Sequence, residues 1–319
     1  MKLAPPVAHR ATPHYETIVW AWSNVAVRLS HYYTAVHGAR GSMIRIISWN
    51  INGQTSLWDH LQRFGADIAL LQEAREPPSS VASSFEIESN EPWRTEGAGL
   101  NRPWRTAVVK LSGRVQLDGR SLKPIEDARP GELGVSRRGT LSIGNVVNLE
   151  TGETLTVGSL YGVWEKPDAQ AKGFWIYADA SVHRLISDLS ALIGRQRGHR
   201  IIVAGDLNVL FGYGEEGSDY WRMRYESIFL RMEALGLNFV GPQAPAGGIQ
   251  ASPWPKELPR ASKNVPTFRT KQDDPGSATR QLDFVFASAD LQARLQVRAL
   301  NQPNEWGPSD HCPILIEFM

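Results

Sequence analysis

Six stretches of this sequence place polar side chains where a hydrophobic run ends. Asn50 and Asn52 follow residues 44–49, Glu73 follows 68–72, and Tyr161 follows 155–160. Asp206 and Asn208 follow 201–204, Asp283 opens 281–288, and Ser309-Asp310-His311 precedes 314–318. Glu73 and Asp310 are hard oxygen donors and Asn50 adds a neutral amide oxygen. With water, that set suits Mg²⁺ or Mn²⁺. One histidine among acids is the wrong mix for structural zinc. A hydrogen bond from His311 to Asp283 would fix the imidazole tautomer and raise its pKa. The resulting cation would stabilise charge on a phosphoryl oxygen. Asp206 would take a proton from an attacking water or orient it, and Asn208 would donate to the phosphate from the same side. Singly, these residues read as turn formers, loop caps or solvated acids. Their recurrence together, in this order and always at strand ends, is a far stronger signal than any one of them.

The elements that must hold them are legible from residue 43 onward. Residues 44–49 are β-branched and apolar, as is the run 68–72, and the segment 56–64 between them has helical spacing through Leu57, Leu61 and Phe64. Strand, helix, strand implies layered α/β structure. Residues 106–111 and 140–148 alternate, and the turn 150–153 joins the latter to 154–160 as a hairpin. Long helices are expected over 171–193, through Ile176, Val182, Leu185, Ile186, Leu189 and Leu192, and over 221–235, stopping at Gly236. Residues 241–263 are rich in Pro and Gly and read as a long loop.

Composition narrows the class. The 319 residues are 42% hydrophobic and 21% charged with a formal net charge of +1, so a sizeable core is available and strong overall basicity is absent. No run of about 18 apolar residues occurs, which excludes a membrane-spanning helix. Cys312 is the one cysteine, so no intrachain disulfide or cysteine zinc site forms, and a reducing, cytoplasmic location is expected. A Cys312–His311 nucleophile pair is disfavoured, because neighbours on a strand point to opposite faces. Residues 1–42 read as an N-terminal extension, with Pro5, Pro6 and Pro13 and a broken apolar stretch carrying Trp20 and Trp22. Met43 stands directly before the first strand and is a candidate start, with one catalytic domain over 43–319.

The stretches 47–53, 71–73, 160–161, 205–208, 282–285 and 309–311 together resemble the endonuclease/exonuclease/phosphatase superfamily. That group includes DNase I, apurinic endonucleases, inositol polyphosphate 5-phosphatases and neutral sphingomyelinases. The resemblance implies a four-layer α/β sandwich, two packed and mostly antiparallel β-sheets flanked by helices. It also implies divalent-metal-dependent phosphoester hydrolysis with Mg²⁺ or Mn²⁺. By position it assigns Asn50, Glu73 and Asp310 to the metal and Asp206 to the attacking water. Asn208 and Tyr161 fall to the scissile phosphate, and His311 with Asp283 to the histidine–aspartate pair. Apurinic endonucleases often carry Asp where this chain has Asn52, which removes one acidic contact.

For the substrate, nucleic acid is the leading expectation. Residues 94–138 hold ten Lys or Arg against five Asp or Glu, and Arg260, Lys263, Arg269, Lys271 and Arg280 add further charge for a phosphate backbone. Trp254, Phe268 and Trp306 are candidates for stacking on bases, with Asn52 and Arg280 as further substrate contacts. A phosphorylated small molecule or lipid headgroup is the alternative, with the 241–263 loop as a lid. A non-catalytic phosphate-binding module is a second alternative, disfavoured because Glu73, Asp206 and His311 are all present.

Overall fold

The computed structural model describes residues 43–89, 91–97, 100–130, 132–164, 178–194, 198–270 and 273–319. Ile44–Met319 form one compact unit. The expectations for residues 1–42, for Ile176 within 171–177 and for Lys271 lie outside the described residues.

Among the described residues sixteen strands, numbered in chain order, build that unit. They are β1 (Ile44–Asn50), β2 (Ile68–Ala74), β3 (Glu86–Ile87), β4 (Thr95–Gly97), β5 (Leu100–Arg102), β6 (Arg105–Lys110), β7 (Val115–Arg120) and β8 (Leu122–Pro124). The remainder are β9 (Leu133–Val135), β10 (Leu141–Asn148), β11 (Thr154–Tyr161), β12 (Ile201–Asp206), β13 (Leu237–Gly241), β14 (Asp283–Ser288), β15 (Leu295–Ala299) and β16 (Ile314–Phe318). One six-stranded sheet runs β15-β16-β1-β2-β6-β3 and the other β13-β14-β12-β11-β10-β7. Each contains a single parallel pair at its centre, β1 with β2 and β11 with β12, and antiparallel pairs elsewhere. The expected two-sheet sandwich is therefore present. The hairpin at 150–153 joins β10 to β11 in the register Val146 to Leu155.

Period-two patterning explains the layers. Along β1, Ile44 and Ile46 enter a core between the sheets with Leu70, Val108, Val157, Ala204 and Val285. Ile47 and Trp49 face the other way, against Leu57, Trp58 and Leu61 of the segment Thr55–Phe64. That segment is a 3₁₀ helix that ends at Gly65 in the left-handed conformation. A short helix, α1 (Ser79–Ala82), follows β2. Helices α2 (Ala178–Ser190) and α3 (Asp219–Ala234) cover the second sheet through Val182, Leu185, Ile228 and Phe229. Both long helices start or stop within a few residues of expectation where described. The edge strands β7, β13 and β15 carry no counterpart in the sequence reading. Among the described residues no helix is long and apolar enough to cross a membrane.

Candidate active site

The carboxyl ends of the two parallel pairs lie together at one rim of the sandwich. β1 delivers Asn50, β2 delivers Glu73, β11 ends at Tyr161 and β12 ends at Asp206. Asp283 opens β14 opposite Asp206 in antiparallel register. His311 enters from the connection before β16. Just below this rim the sheets are joined by polar contacts: Ser159 Oγ donates to the Leu71 carbonyl at 2.6 Å, and Gln72 Nε2 donates to Ser159 Oγ at 2.9 Å.

The hydrogen bonds tie these side chains into one cluster. The Asn50 amide nitrogen donates to Glu73 Oε1 at 3.1 Å and to Asp206 Oδ2 at 2.9 Å. Asn50 Oδ1 accepts the Asn52 backbone N–H at 2.9 Å, and the Asn52 amide donates to Asp310 Oδ2 at 2.7 Å. Tyr161 Oη donates to Glu73 Oε1 at 2.8 Å. His311 Nδ1 lies 2.8 Å from Asp283 Oδ2, and its Nε2 lies 3.6 Å from Asp206 Oδ2. Asp206, Asp283 and His311 are all buried.

Burial and charge set the protonation states. Burial alone would depress the His311 pKa, but the facing carboxylates of Asp283 and Asp206, with Asp310 behind, raise it to about 10. The imidazole is thus a cation at neutral pH, with Nδ1–H donating to Asp283. Burial pushes the Asp206 carboxyl up to about 7, with Asp283 adding to the rise and the His311 cation opposing it. Tyr161 keeps its proton, because burial and the nearby Glu73 and Asp206 carboxylates push its hydroxyl well above the usual range.

Several sequence expectations need correction. Asn50 turns its amide nitrogen toward Glu73 and Asp206 and its Oδ1 toward the Asn52 backbone N–H, so in this arrangement it orients the two carboxylates. Asn52 donates one amide hydrogen bond to Asp310, which ties it to the cluster. Both amide protons of Asn208 are used, on the Gly162 carbonyl and on Asp206 Oδ2, each at 3.1 Å, so it steadies Asp206 and has none left for a phosphate. Trp306 is fully buried between the sheets and cannot stack on a base. Trp254 packs against the helix-side core, its indole N–H satisfied by the Leu258 carbonyl, a structural role in its own loop. Phe268, by contrast, forms isolated bridges with Arg280 and His311, its ring centred 5.0 Å from the imidazole. Arg280 is exposed beside it.

The sequence reading also missed residues. Thr267 Oγ1 accepts the backbone N–H groups of Leu282 and Asp283, Ser309 Oγ donates to the Asn50 carbonyl, and Trp49 Nε1 donates to the His311 carbonyl. Gly162 is needed because a Cβ there would lie 2.2 Å from the Leu207 carbonyl. A threonine after proline or a glycine after a strand gives no sequence signal of such roles.

Against known proteins, the model of the Endonuclease/Exonuclease/phosphatase family matches residues 47–311. The chain belongs to that family. Its members are phosphoester hydrolases that generally use divalent metals. Among solved structures, the endonuclease domain of TRAS1, a telomere-specific non-LTR retrotransposon, is similar at 16% identity with a TM-score of 0.54, over 86% of this chain and 98% of that one. The AP endonuclease LMAP from Leishmania major is similar at 14% identity and a TM-score of 0.55, covering 86% and 87%. A variant of the 3′ phosphatase NExo from Neisseria, bound to a product DNA hairpin, is similar at 17% identity and a TM-score of 0.51, covering 86% and 99%. No curated protein sequence matches the chain. At these identities the likeness to solved structures carries the fold alone.

The donor chemistry at the rim fits a divalent cation of the Mg²⁺ type. Among the described residues no three His, Cys, Asp or Glu side chains come close enough to cage a metal. Glu73 and Asp310, both half-buried, are instead linked through Asn50 and Asn52. Among the described residues both hydrogen bonds to the Glu73 carboxylate fall on Oε1, leaving Oε2 without one. One or two carboxylates completed by water is the arrangement that Mg²⁺ favours.

Proposed function

We propose that the protein is a divalent-metal-dependent phosphodiesterase acting on nucleic acid. The observation that carries this reading is the buried Asp206–His311–Asp283 cluster, with Glu73 and Asp310 tied to it through Asn50 and Asn52. Glu73 and Asp310 would hold Mg²⁺ or Mn²⁺, which when bound polarises a phosphoryl oxygen. Asp206 is fixed by the Asn50 amide and by the backbone and side chain of Asn208, so its carboxylate is positioned to accept a proton from an attacking water. The His311 cation, held by Asp283, stabilises the charge that builds on the phosphoryl group. Tyr161 donates a hydrogen bond to Glu73 Oε1 and keeps that carboxylate oriented.

Nucleic acid is favoured as the substrate because the half-buried Phe268 ring lies 5.0 Å from the His311 imidazole and the exposed Arg280 is the backbone bridge partner of Phe268, an aromatic and a basic residue close in the fold to the reacting centre. The solved relatives named as an AP endonuclease and as a DNA-bound 3′ phosphatase are consistent with that choice. The test is hydrolysis of bis-p-nitrophenyl phosphate and of labelled DNA and RNA oligonucleotides with Mg²⁺ or Mn²⁺, stopped by EDTA. Asp206→Asn and His311→Ala should each lower kcat by roughly 10²- to 10⁴-fold with the far-UV circular dichroism unchanged. Full activity in either variant would refute its role. Turnover of phosphomonoesters alone would move the substrate to a small phosphorylated molecule or lipid headgroup.

A further inference from the structure

Next to Tyr161, on the side of the rim away from His311, lies a group of residues with no part in the chemistry above. The indole of Trp104 meets the Tyr161 ring edge to face, with centroids 5.0 Å apart and planes at 82°. Trp104 is partly exposed, and the Arg102 guanidinium lies 5.4 Å from its ring centre. Trp104 is held by its backbone: its carbonyl accepts Thr95 Oγ1 at 3.0 Å. The same Thr95 side chain lies against Gly139, where an added Cβ would come within 2.7 Å of it. Gly139 has φ +79, follows Arg138 directly, and its carbonyl accepts the Thr106 N–H at 2.9 Å. Trp104 and Arg138 are therefore fixed to each other through one threonine.

Beyond them the surface turns basic. Arg138 and Arg120 flank one small cavity with Thr95 and Ser142. Both guanidiniums are exposed, and among the described residues neither has a hydrogen bond or ion pair. Arg105 beneath them is different: it is buried, paired with Glu88 and stacked on Trp93 at 4.3 Å. The cavity holds about 20 Å³, room for a water molecule, so a ligand drawn to these arginines would lie along the rim above it. A partly exposed indole beside the reacting centre, with the Arg102 guanidinium over its ring and two uncommitted guanidiniums further on, is the pattern that receives a nucleobase and then the phosphates of the same strand.

We propose that Trp104, Arg138 and Arg120 form a second arm of the substrate site. The nucleotide flanking the scissile phosphate on the Tyr161 side stacks on Trp104, and the phosphates further along that strand meet Arg138 and Arg120. This rests on the nucleic-acid reading above and adds which flank of the strand the protein grips and with what. An unpaired or splayed strand is required, because a base inside a duplex offers no free face to the indole.

The test is binding of a fluorescein-labelled single-stranded DNA decamer to the full chain in EDTA, followed by anisotropy over a range of salt. Trp104→Ala should weaken binding by roughly ten-fold while Trp104→Phe stays within about three-fold of wild type, since stacking tolerates another aromatic face. Arg138→Ala with Arg120→Ala should reduce the slope of log Kd against log salt by about one to two. A wild-type Kd in Trp104→Ala, or an unchanged salt slope in the double arginine variant, would overturn the arm. Equal weakening in Trp104→Ala and Trp104→Phe would also overturn stacking. If the wild type hydrolyses bis-p-nitrophenyl phosphate yet binds no oligonucleotide even at low salt, the nucleic-acid reading itself falls and the arm with it. Binding that survives while only the arm variants behave as wild type leaves that reading intact and removes the arm alone.

Discussion

Three residues of the candidate site, Asn52, Glu73 and Asn208, have left-handed backbone at φ 47, 49 and 52; the one other described non-glycine residue with positive φ is Glu216. A side chain in that region costs about 1–2 kcal/mol, more for β-branched residues. The conformation turns the chain sharply where each strand ends and so brings Asn208 N–H back to Asp206 Oδ1 at 2.9 Å. Asn208→Gly should melt within a degree or two of wild type, and Asn208→Val should melt several degrees lower, by thermal unfolding. The reverse order would show that the backbone is unstrained there. The protonation states give a second expectation. In the proposed mechanism Asp206 works only as carboxylate, and its pKa is raised to about 7, so the rate should fall as pH drops below about 7. In the same mechanism His311 works only as cation, and its pKa is raised to about 10, so the rate should fall again as pH rises past about 10. A log(kcat/KM) profile should show both limbs, and His311→Asn should lose the alkaline one. The residues at these strand ends were legible in the sequence because each follows a hydrophobic run. Their partners were not. Nothing local in the chain says that Asn50 turns its nitrogen inward, since its partner Asp206 lies 156 positions away, or that Trp306 is enclosed, since it packs in a core drawn from both sheets.

At the level of the elements, the site depends on how closely β11 and β12 approach at their carboxyl ends. Gly162 N–H donates to the Asp206 carbonyl at 2.7 Å, and Gly205 would place a Cβ 1.9 Å from the Leu160 carbonyl. Adding a methyl group to such a contact forces the strands apart at a cost of about 1–3 kcal/mol. Gly162→Ala should therefore lower the melting temperature by several degrees and kcat by at least ten-fold. Gly113→Ala, which meets nothing within 4 Å, should change neither. A Gly162→Ala protein with wild-type kcat would show that the strand ends tolerate displacement. The central strands could be read from the sequence because both of their faces are buried and their residues run apolar without interruption. The edge strands escaped notice for the opposite reason. β13 is five residues between Gly236 and Pro242 with a bulge near Gly241, and β7 contains Gly119, so both look like loop. The segment Thr55–Phe64 has the apolar spacing of a helix but winds as 3₁₀, a difference in hydrogen bonding that spacing does not report.

Across the whole molecule, the first sheet and its connections supply Asn50, Glu73, Asp310 and His311, and the second supplies Tyr161, Asp206, Asn208 and Asp283. Four carboxylates meet at the rim where the two sheets adjoin, with the His311 cation among them. A divalent cation bound by Glu73 and Asp310 would relieve their mutual repulsion and bind only the folded chain. At a hundred times its Kd, Mg²⁺ or Mn²⁺ should stabilise the fold by about 2.7 kcal/mol, seen as a rise of several degrees in the melting temperature. Glu73→Gln with Asp310→Asn should abolish that rise, and a rise of wild-type size in this variant would exclude the two residues as ligands. The meeting of the two parallel strand pairs has a last consequence. In the proposed mechanism neither half of the sandwich owns a complete reaction: one would contribute the oxygens for a cation, the other the acceptor for a proton. On that mechanism catalytic competence is a property of the seam, acquired only when the halves dock and forfeited as soon as they slip.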